Sequence, residues 1–250
     1  MDRIEVSVIG APDTNMAPFL ARLTQRGHEI SSMKDLVDLK SKGASDNLLN
    51  SLAKLKHGTI KRFDVYTVAI VGASRRFLAQ IRTHQHADYV SGSLQYSDWS
   101  NHEHPEEMFV VPYELLEGGL LRTNYLDSCV ESFLEYSDLV SFVGNDAAGF
   151  ALPNGTRNVL VIQANAQQWQ YMIGLRTCRR NSLETRYVML KIWEELLMLD
   201  PHMFTPEAAG CGCQTGICTE GHFCCGSPLW PAMAPTEILK ADFPLLMEDK

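Results

Sequence analysis

Arg82-Thr83-His84-Gln85-His86, running on to Ser91-Gly92-Ser93-Leu94-Gln95-Tyr96-Ser97, sets an arginine, two histidines, several hydroxyls and a glycine within sixteen residues. A phosphate or pyrophosphate needs many hydrogen-bond donors and a close backbone approach, and this mixture offers both. The same composition also describes a polar surface loop that follows a helix. What the stretch means therefore depends on its neighbours in the chain.

Immediately upstream, Phe63 to Val71 is rich in β-branched and aromatic residues and reads as a strand. Gly72-Ala73 breaks it, and Ser74 is placed to cap a helix that runs through Ile81. Arg82 then sits at the helix end and leads into a polar loop that reaches Ser100. Further back, Ile4 to Ile9 reads as a first strand, Ala17 to Arg26 has helical spacing, and Ser32 to Leu55 is a weaker helical pattern.

Downstream, Phe109 to Pro112 is short and strand-like, and Asn124 to Val143 has apolar residues at helical spacing. Leu160 to Leu175 is read as another helix, with Trp169, Met172 and Ile173 on its apolar side. Leu175-Arg176-Thr177-Cys178-Arg179-Arg180-Asn181-Ser182-Leu183-Glu184-Thr185-Arg186 carries four arginines. Their planar, permanently charged forks match phosphates, carboxylates and base edges. A solvated helix end is the alternative reading. Asn181 with Glu184 three residues on resembles a capping box for a helix through Leu199, which Pro201 stops. Strands and helices alternate without a βαβ rhythm, which favours an α+β fold, a twisted sheet flanked by helices in a single domain. The boundaries read are 1–226 for the domain and 227–250 for an irregular C-terminal tail.

Composition narrows the function. The net charge of -8 disfavours general nucleic-acid binding while leaving room for a small anion on a local basic patch. No apolar run has the length of a membrane span, and the N-terminal segment lacks the apolar core of a signal peptide, so a soluble, cytoplasmic protein is expected. Cys211, Cys213, Cys218, His222, Cys224 and Cys225 are dense enough to raise the question of zinc. Their spacing makes no paired CxxC arrangement, and a reduced, Gly-rich tail is preferred, with no metal. GxGxxG, P-loop, HExxH and GxSxG motifs are all missing.

Taken together and in order, these pieces resemble the flavin-dependent thymidylate synthases, the ThyX family. That family's signature reads R-H-R-x-x-S-x-N-E-x-S-x-R-Y. Arg82-Thr83-His84 stands in the place of R-H-R and Ser93-Leu94-Gln95-Tyr96 in that of S-x-R-Y, with one extra residue between. His57 and Thr59 match an upstream His and hydroxyl. Leu152-Pro153, Asn165 and Leu175-Arg176 match the downstream landmarks, and Cys218-Thr219-Glu220-Gly221 with Cys225-Gly226 resembles a tail that some members carry. The departures are specific. The third signature Arg is His84, the last is Gln95, and the central Asn-Glu is lost. A family Arg before Leu-Pro is Gly149, a family Glu is Arg62, and a family Arg after the Asn is Gln167.

The resemblance implies a methyltransferase that methylates C5 of dUMP. The carbon would come from methylenetetrahydrofolate and the hydride from reduced FAD, which NADPH recharges. It implies Arg176 as the catalytic residue at the pyrimidine edge. It implies FAD contacts from His57, Thr59, Arg82, Thr83 and His84, and from Asn165, Gln167 and Tyr171. Substrate contacts fall to Gln80, Arg82, Ser93, Gln95 and Arg176, with Ser93 and Gln95 reaching in from a neighbouring subunit of a homotetramer with shared active sites. Another pyrimidine nucleotide such as UMP, or a flavin- or nucleotide-binding homologue without methyl transfer, are the alternatives that the departures raise. Arg186 is a secondary contact on this reading, and Arg179 and Arg180 have no role.

Overall fold

The central pair of strands explains the rest of the architecture. In this computed structural model the described residues are 1–250 apart from 14–15, 56–57, 213–217, 219, 227–232 and 248–250. Strand β2 (Val65–Ser74) pairs antiparallel with β4 (Arg157–Asn165), and its other edge pairs antiparallel with β1 (Glu5–Gly10). Strand β3 (Ala87–Ser91) closes the far edge, giving the order β1-β2-β4-β3. Because side chains alternate across a strand, Tyr66, Val68 and Ile70 share one face with their register partners Ala164, Ile162 and Leu160, and all six are buried. The other face is open, and Val65, Val71, Val90 and Val159 are exposed on it.

Helices α6 (Ala166–Arg176) and α7 (Leu183–Leu199) cover the buried face through Trp169, Met172, Ile173, Val188, Ile192 and Trp193. Both indoles satisfy their N–H groups on backbone: Trp169 on the Tyr66 carbonyl at 3.2 Å and Trp193 on the Phe204 carbonyl at 2.7 Å. Helix α4 (Arg75–Ile81) starts as the sequence indicates, with the Ser74 side chain accepting from the Phe77 N–H. Helices α1 (Met16–Arg26), α2 (Met33–Lys40) and α3 (Asp46–Lys54) fill the early segment, with serine caps on α2 and α3. Helix α5 (Leu120–Ala148) is kinked at Gly144, whose φ of 79° is left-handed, and it packs a second, smaller core through Cys129, Phe133 and Tyr136. A single turn, α8 (Pro206–Ala209), precedes the cysteine-rich segment.

The structure corrects the sequence reading in six places. Gly72-Ala73 does not end the strand, since β2 runs on to Ser74 with a register shift between Val71 and Ala73. Leu160 to Leu175 is not one helix: its first part is β4, buried at every second residue, and only Ala166 onward is helical. Trp169, Met172 and Ile173 do sit on the buried side of that helix. β3 lies within what reads as a polar loop. Phe109 to Pro112 forms only an isolated bridge, Phe109 with Thr156. Helix α7 is preceded by Ser182 rather than Asn181, and Glu184 binds the backbone N–H and hydroxyl of Ser74, at 2.7 and 2.6 Å, instead of closing a capping box. The tail beyond 227 is not wholly irregular, since α9 (Pro235–Asp242) buries Ile238 and Leu239, and Phe243 follows them into the core.

Arg186 explains why the tail docks. Its side chain is only 3% exposed, donates to the Thr177 carbonyl at 2.9 Å, and pairs with Asp242 while lying over the Phe243 ring. Arg179 bonds the same carboxylate at 2.9 and 3.3 Å. Removing one partner of a buried ion pair leaves the other uncompensated, so Asp242→Ala should cost about 3–5 kcal/mol. Chemical denaturation measures this, and a loss below about 1 kcal/mol, the range of exposed pairs, would show that α9 does not hold the arginine.

Candidate active site

The α4–β3 turn and the C-terminal end of α6 meet where the sheet edge, β3, turns away from the core. Tyr89 of β3 fixes the turn from below: its hydroxyl lies 2.9 Å from the Ile81 carbonyl and 3.0 Å from the His84 carbonyl. Burial pushes the Tyr89 phenol up to about 12, so it stays a neutral donor. His84 is thereby held inside, 5% exposed, with its ring edge-on to Tyr171 of α6 at 5.8 Å.

Arg176, the last residue of α6, reaches across to that turn. Its Nε donates to His84 Nε2 at 2.9 Å, and Nη2 donates to the Gln80 carbonyl at 3.1 Å and Thr83 Oγ1 at 2.9 Å. Nη1 approaches Asn181 Oδ1 at 3.4 Å, and Asn181 in turn donates to the Leu175 carbonyl at 2.9 Å. Burial first, and the charge of Arg176 second, lower His84 from 6.5 to about 4. Gln80 turns its amide oxygen inward, toward the hydroxyls of Ser182 (3.0 Å) and Thr185.

Beside this network lies a pocket of about 620 Å³ whose described lining includes Thr83, His84, Gln85, His86, Asn165, Gln167, Gln168, Tyr171 and Arg62. Asn165 caps α6, accepting from the Gln168 N–H at 2.9 Å, so a helix N-terminus opens into the cavity. Across it, Arg62 donates to Gln167 Oε1 at 2.9 Å. Gly58 leaves room for that amide, because a Cβ there would fall 2.0 Å from the Gln167 side chain.

Of the residues singled out from sequence, Thr83, His84, Asn165, Gln167 and Tyr171 come together in this one pocket, with Arg176 bonded to two of them. Arg82 is exposed beside it and donates to Ser91 Oγ at 2.7 Å. Thr59 is exposed at the start of the 3₁₀ turn Ile60–Arg62 and is not among the lining residues. Ser93 and Gln95 lie in the loop after β3, Gln95 exposed with its N–H on Ser93 Oγ at 3.2 Å, and neither lines the pocket. His57 lies outside the described residues, as do Cys213 and Thr219 of the tail. Among the described residues no three His, Cys, Asp or Glu side chains gather as a metal site.

Sequence reasoning missed several participants. Arg62 entered only as a lost Glu, yet it supplies the pocket with a cation where Gln167 does not. Arg75 is half-buried and held below its usual range by burial and then by the charge of Arg82, so two guanidinium groups share one field. The doublet Ser74-Arg75 at a helix start was the available signal. Arg179 and Arg180 are not idle: the first binds Asp242, and the second donates to the Phe223 carbonyl at 2.6 Å with its guanidinium 5.1 Å from that ring. Arg186 is a buried structural residue rather than a ligand contact.

Comparison with known proteins fixes the class. A family model described as thymidylate synthase complementing protein matches residues 9–202. A flavin-dependent thymidylate synthase from Geobacter sulfurreducens is 26% identical over 219 residues, covering 86% of this chain and 90% of its own. Among solved structures, thymidylate synthase X from Helicobacter pylori with FAD and dUMP superposes with a TM-score of 0.61 at 18% identity, over 80% of this chain and 97% of that one. The UMP/dUMP methylase PolB from Streptomyces cacaoi, bound with 5-Br dUMP, gives 0.63 at 17% identity, over 83% and 94%. The chain belongs to the thymidylate synthase complementing protein family, the flavin-dependent thymidylate synthases.

The buried imidazole gives the fold an acid-sensitive element. Between 6.5 and about 4 the unfolded chain binds a proton at His84 that the folded chain refuses, so stability falls as the pH drops through this window. At about pH 5 the contribution is about 2 kcal/mol relative to about pH 7.5. Urea denaturation at both values should show His84→Gln losing less stability on acidification than the unmodified protein. Equal losses would mean that the imidazole is not held neutral.

Proposed function

We propose that this protein is a flavin-dependent thymidylate synthase that methylates C5 of dUMP to give dTMP, taking its carbon from methylenetetrahydrofolate. The observation that carries the reading is Arg176, a guanidinium fixed by the Gln80 carbonyl and by His84 and Thr83, which line a polar pocket, within a chain of this family. A fixed cation at the edge of a pyrimidine favours the N3-deprotonated base and raises electron density at C5.

The pocket fits FAD. It offers the half-exposed ring of Tyr171 for a planar face and the amides of Asn165, Gln167 and Gln168 for a hydrogen-bonding edge. The N-terminus of α6 and the Arg62 guanidinium suit its phosphates. Thr83 and His84 complete the described wall, with Arg82, Thr59 and His57 assigned to the same cofactor. Bound and reduced, with NADPH as the source of electrons, FAD supplies the hydride. The protein's own task is binding, orientation and electrostatics. Arg75 and Arg82, sharing one field at the start and end of α4, are assigned to the nucleotide phosphate, which answers the loss of the family arginines at Gly149 and Gln95.

The open sheet face and exposed Leu120, Leu121, Phe142 and Phe150 support a homotetramer, in which Ser93 and Gln95 reach a neighbouring subunit's nucleotide. No helix among the described residues is long and apolar enough to cross a membrane, and a cytoplasmic location belongs to the same proposal.

Anaerobic turnover with NADPH and methylenetetrahydrofolate, run in parallel on dUMP and UMP, tests the assignment. Formation of dTMP is expected, with Arg176→Ala abolishing it while the flavin stays bound. A colourless protein that cannot be loaded with FAD contradicts the reading, and methylation of UMP alone moves the substrate. Arg75→Gln should raise the KM for dUMP roughly tenfold through loss of one charge-assisted contact. An unchanged KM would remove Arg75 from the phosphate site.

A further inference from the structure

We infer that His84 is the residue that positions Arg176: its imidazole takes the Nε–H and, with Thr83 and the Gln80 carbonyl, leaves only the Nη1 end of the guanidinium for the substrate. The inference rests on the function proposed above for its catalytic consequence, but not for its geometry.

The donor chemistry is unambiguous. Arginine has five N–H groups and no acceptor, so a 2.9 Å contact from its Nε to an imidazole nitrogen requires a lone pair there. Nε2 of His84 is therefore unprotonated and the ring's proton sits on Nδ1. Both Nη2 hydrogens are engaged, by the Gln80 carbonyl at 3.1 Å and Thr83 Oγ1 at 2.9 Å. At Nη1, one hydrogen has the long 3.4 Å approach to Asn181 and the other has none of these partners. The edge formed by Nε and Nη2, which normally makes a bidentate fork, is consumed by protein. What remains is a single-ended contact at a fixed angle.

The surroundings keep the ring in its accepting state. From α6, Tyr171 packs edge-on and Arg176 faces Nε2. From β3, Tyr89 ties down the His84 carbonyl, and Asp88 is its exposed neighbour. Thr83, Arg82 and His86 lie along the same turn, and Arg62 lines the far wall of the pocket. Among the described residues no carboxylate is bonded to the ring to raise its proton affinity, and the charge bonded to it is that of Arg176. A second guanidinium at this position, the residue that the family signature carries, has no lone pair to offer. It would set cation against cation. The histidine is thus a departure from the signature with a consequence of its own: it fixes the direction from which Arg176 meets a base.

Three variants separate positioning from bulk. His84→Gln retains an acceptor, His84→Phe retains a ring without one, and His84→Arg restores the signature residue. In the FAD-loaded protein, kcat/KM for dUMP should fall only a few-fold in His84→Gln and roughly tenfold to a hundredfold in the other two, mostly in kcat. Flavin absorbance reports whether each variant still holds its cofactor. Nitrogen-15 NMR of the unmodified protein should show His84 as the neutral Nδ1–H form with Nε2 bare throughout the neutral range. Equal losses in the Gln and Phe variants, a protonated Nε2, or titration at an ordinary histidine pKa would each overturn the inference. Absence of turnover in the unmodified protein would instead defeat the proposed function, and the NMR result would still decide the role of His84.

Discussion

The bond network of one guanidinium sets the geometry of this molecule's working end. Arg176 closes α6, yet three of its four hydrogen bonds go to the end of α4 and the turn that follows it, almost a hundred residues earlier in the chain. Such a charge can be half-buried only because each engaged N–H meets an oxygen or a bare nitrogen. Everything near it follows from that requirement. His84 must be neutral, the Thr83 hydroxyl must accept from Arg176 while donating back to the Gln80 carbonyl at 2.9 Å, and that carbonyl must stay free of a helical partner. The end of α4 supplies such a carbonyl because the last turn of a helix leaves its C=O groups without one.

The network also depends on how α6 is joined to α7. Thr177 is buried, and its carbonyl is held by Arg186 of α7, which Asp242 neutralises from the tail. The C-terminal helix thus acts on the site at one remove, from outside the segment that the family model matches. Of the four arginines in this stretch, Arg176 bonds to the end of α4 and the turn after it, and the other three have structural partners: Asp242 for Arg179 and Arg186, and Phe223 for Arg180.

Much of this was legible in residue order. The β-branched strand, the Ser74 cap and the helix through Ile81 each have a local cause and read correctly, but Gly72-Ala73 shifts the register of β2 rather than ending it. The pairing of Thr83 and His84 with Asn165, Gln167 and Tyr171 was legible only through family resemblance, since nothing local joins segments so far apart. β4 reads as helix because a run of apolar residues continues straight into the apolar side of α6, and nothing in the sequence marks Asn165 as the cap that separates them. The Asn181 misreading has a similar origin: its side chain is recruited by Arg176 and Leu175, so Ser182 is left at the cap position. Arg62 illustrates a third kind of failure. Matched against the signature it counts as a loss, whereas in space it faces Gln167 across the pocket and returns a cation to it.

In the proposed function Arg176 is held ready beside a pocket that carries both flavin and nucleotide, bonded to two of its lining residues. Titrating FAD-loaded protein with dUMP while recording the flavin absorption spectrum tests it most directly. A saturable perturbation of the flavin band is expected, and it should disappear in Arg176→Ala although the flavin remains bound. No perturbation in the unmodified protein, or the same perturbation at the same dUMP concentration in the variant, would contradict it.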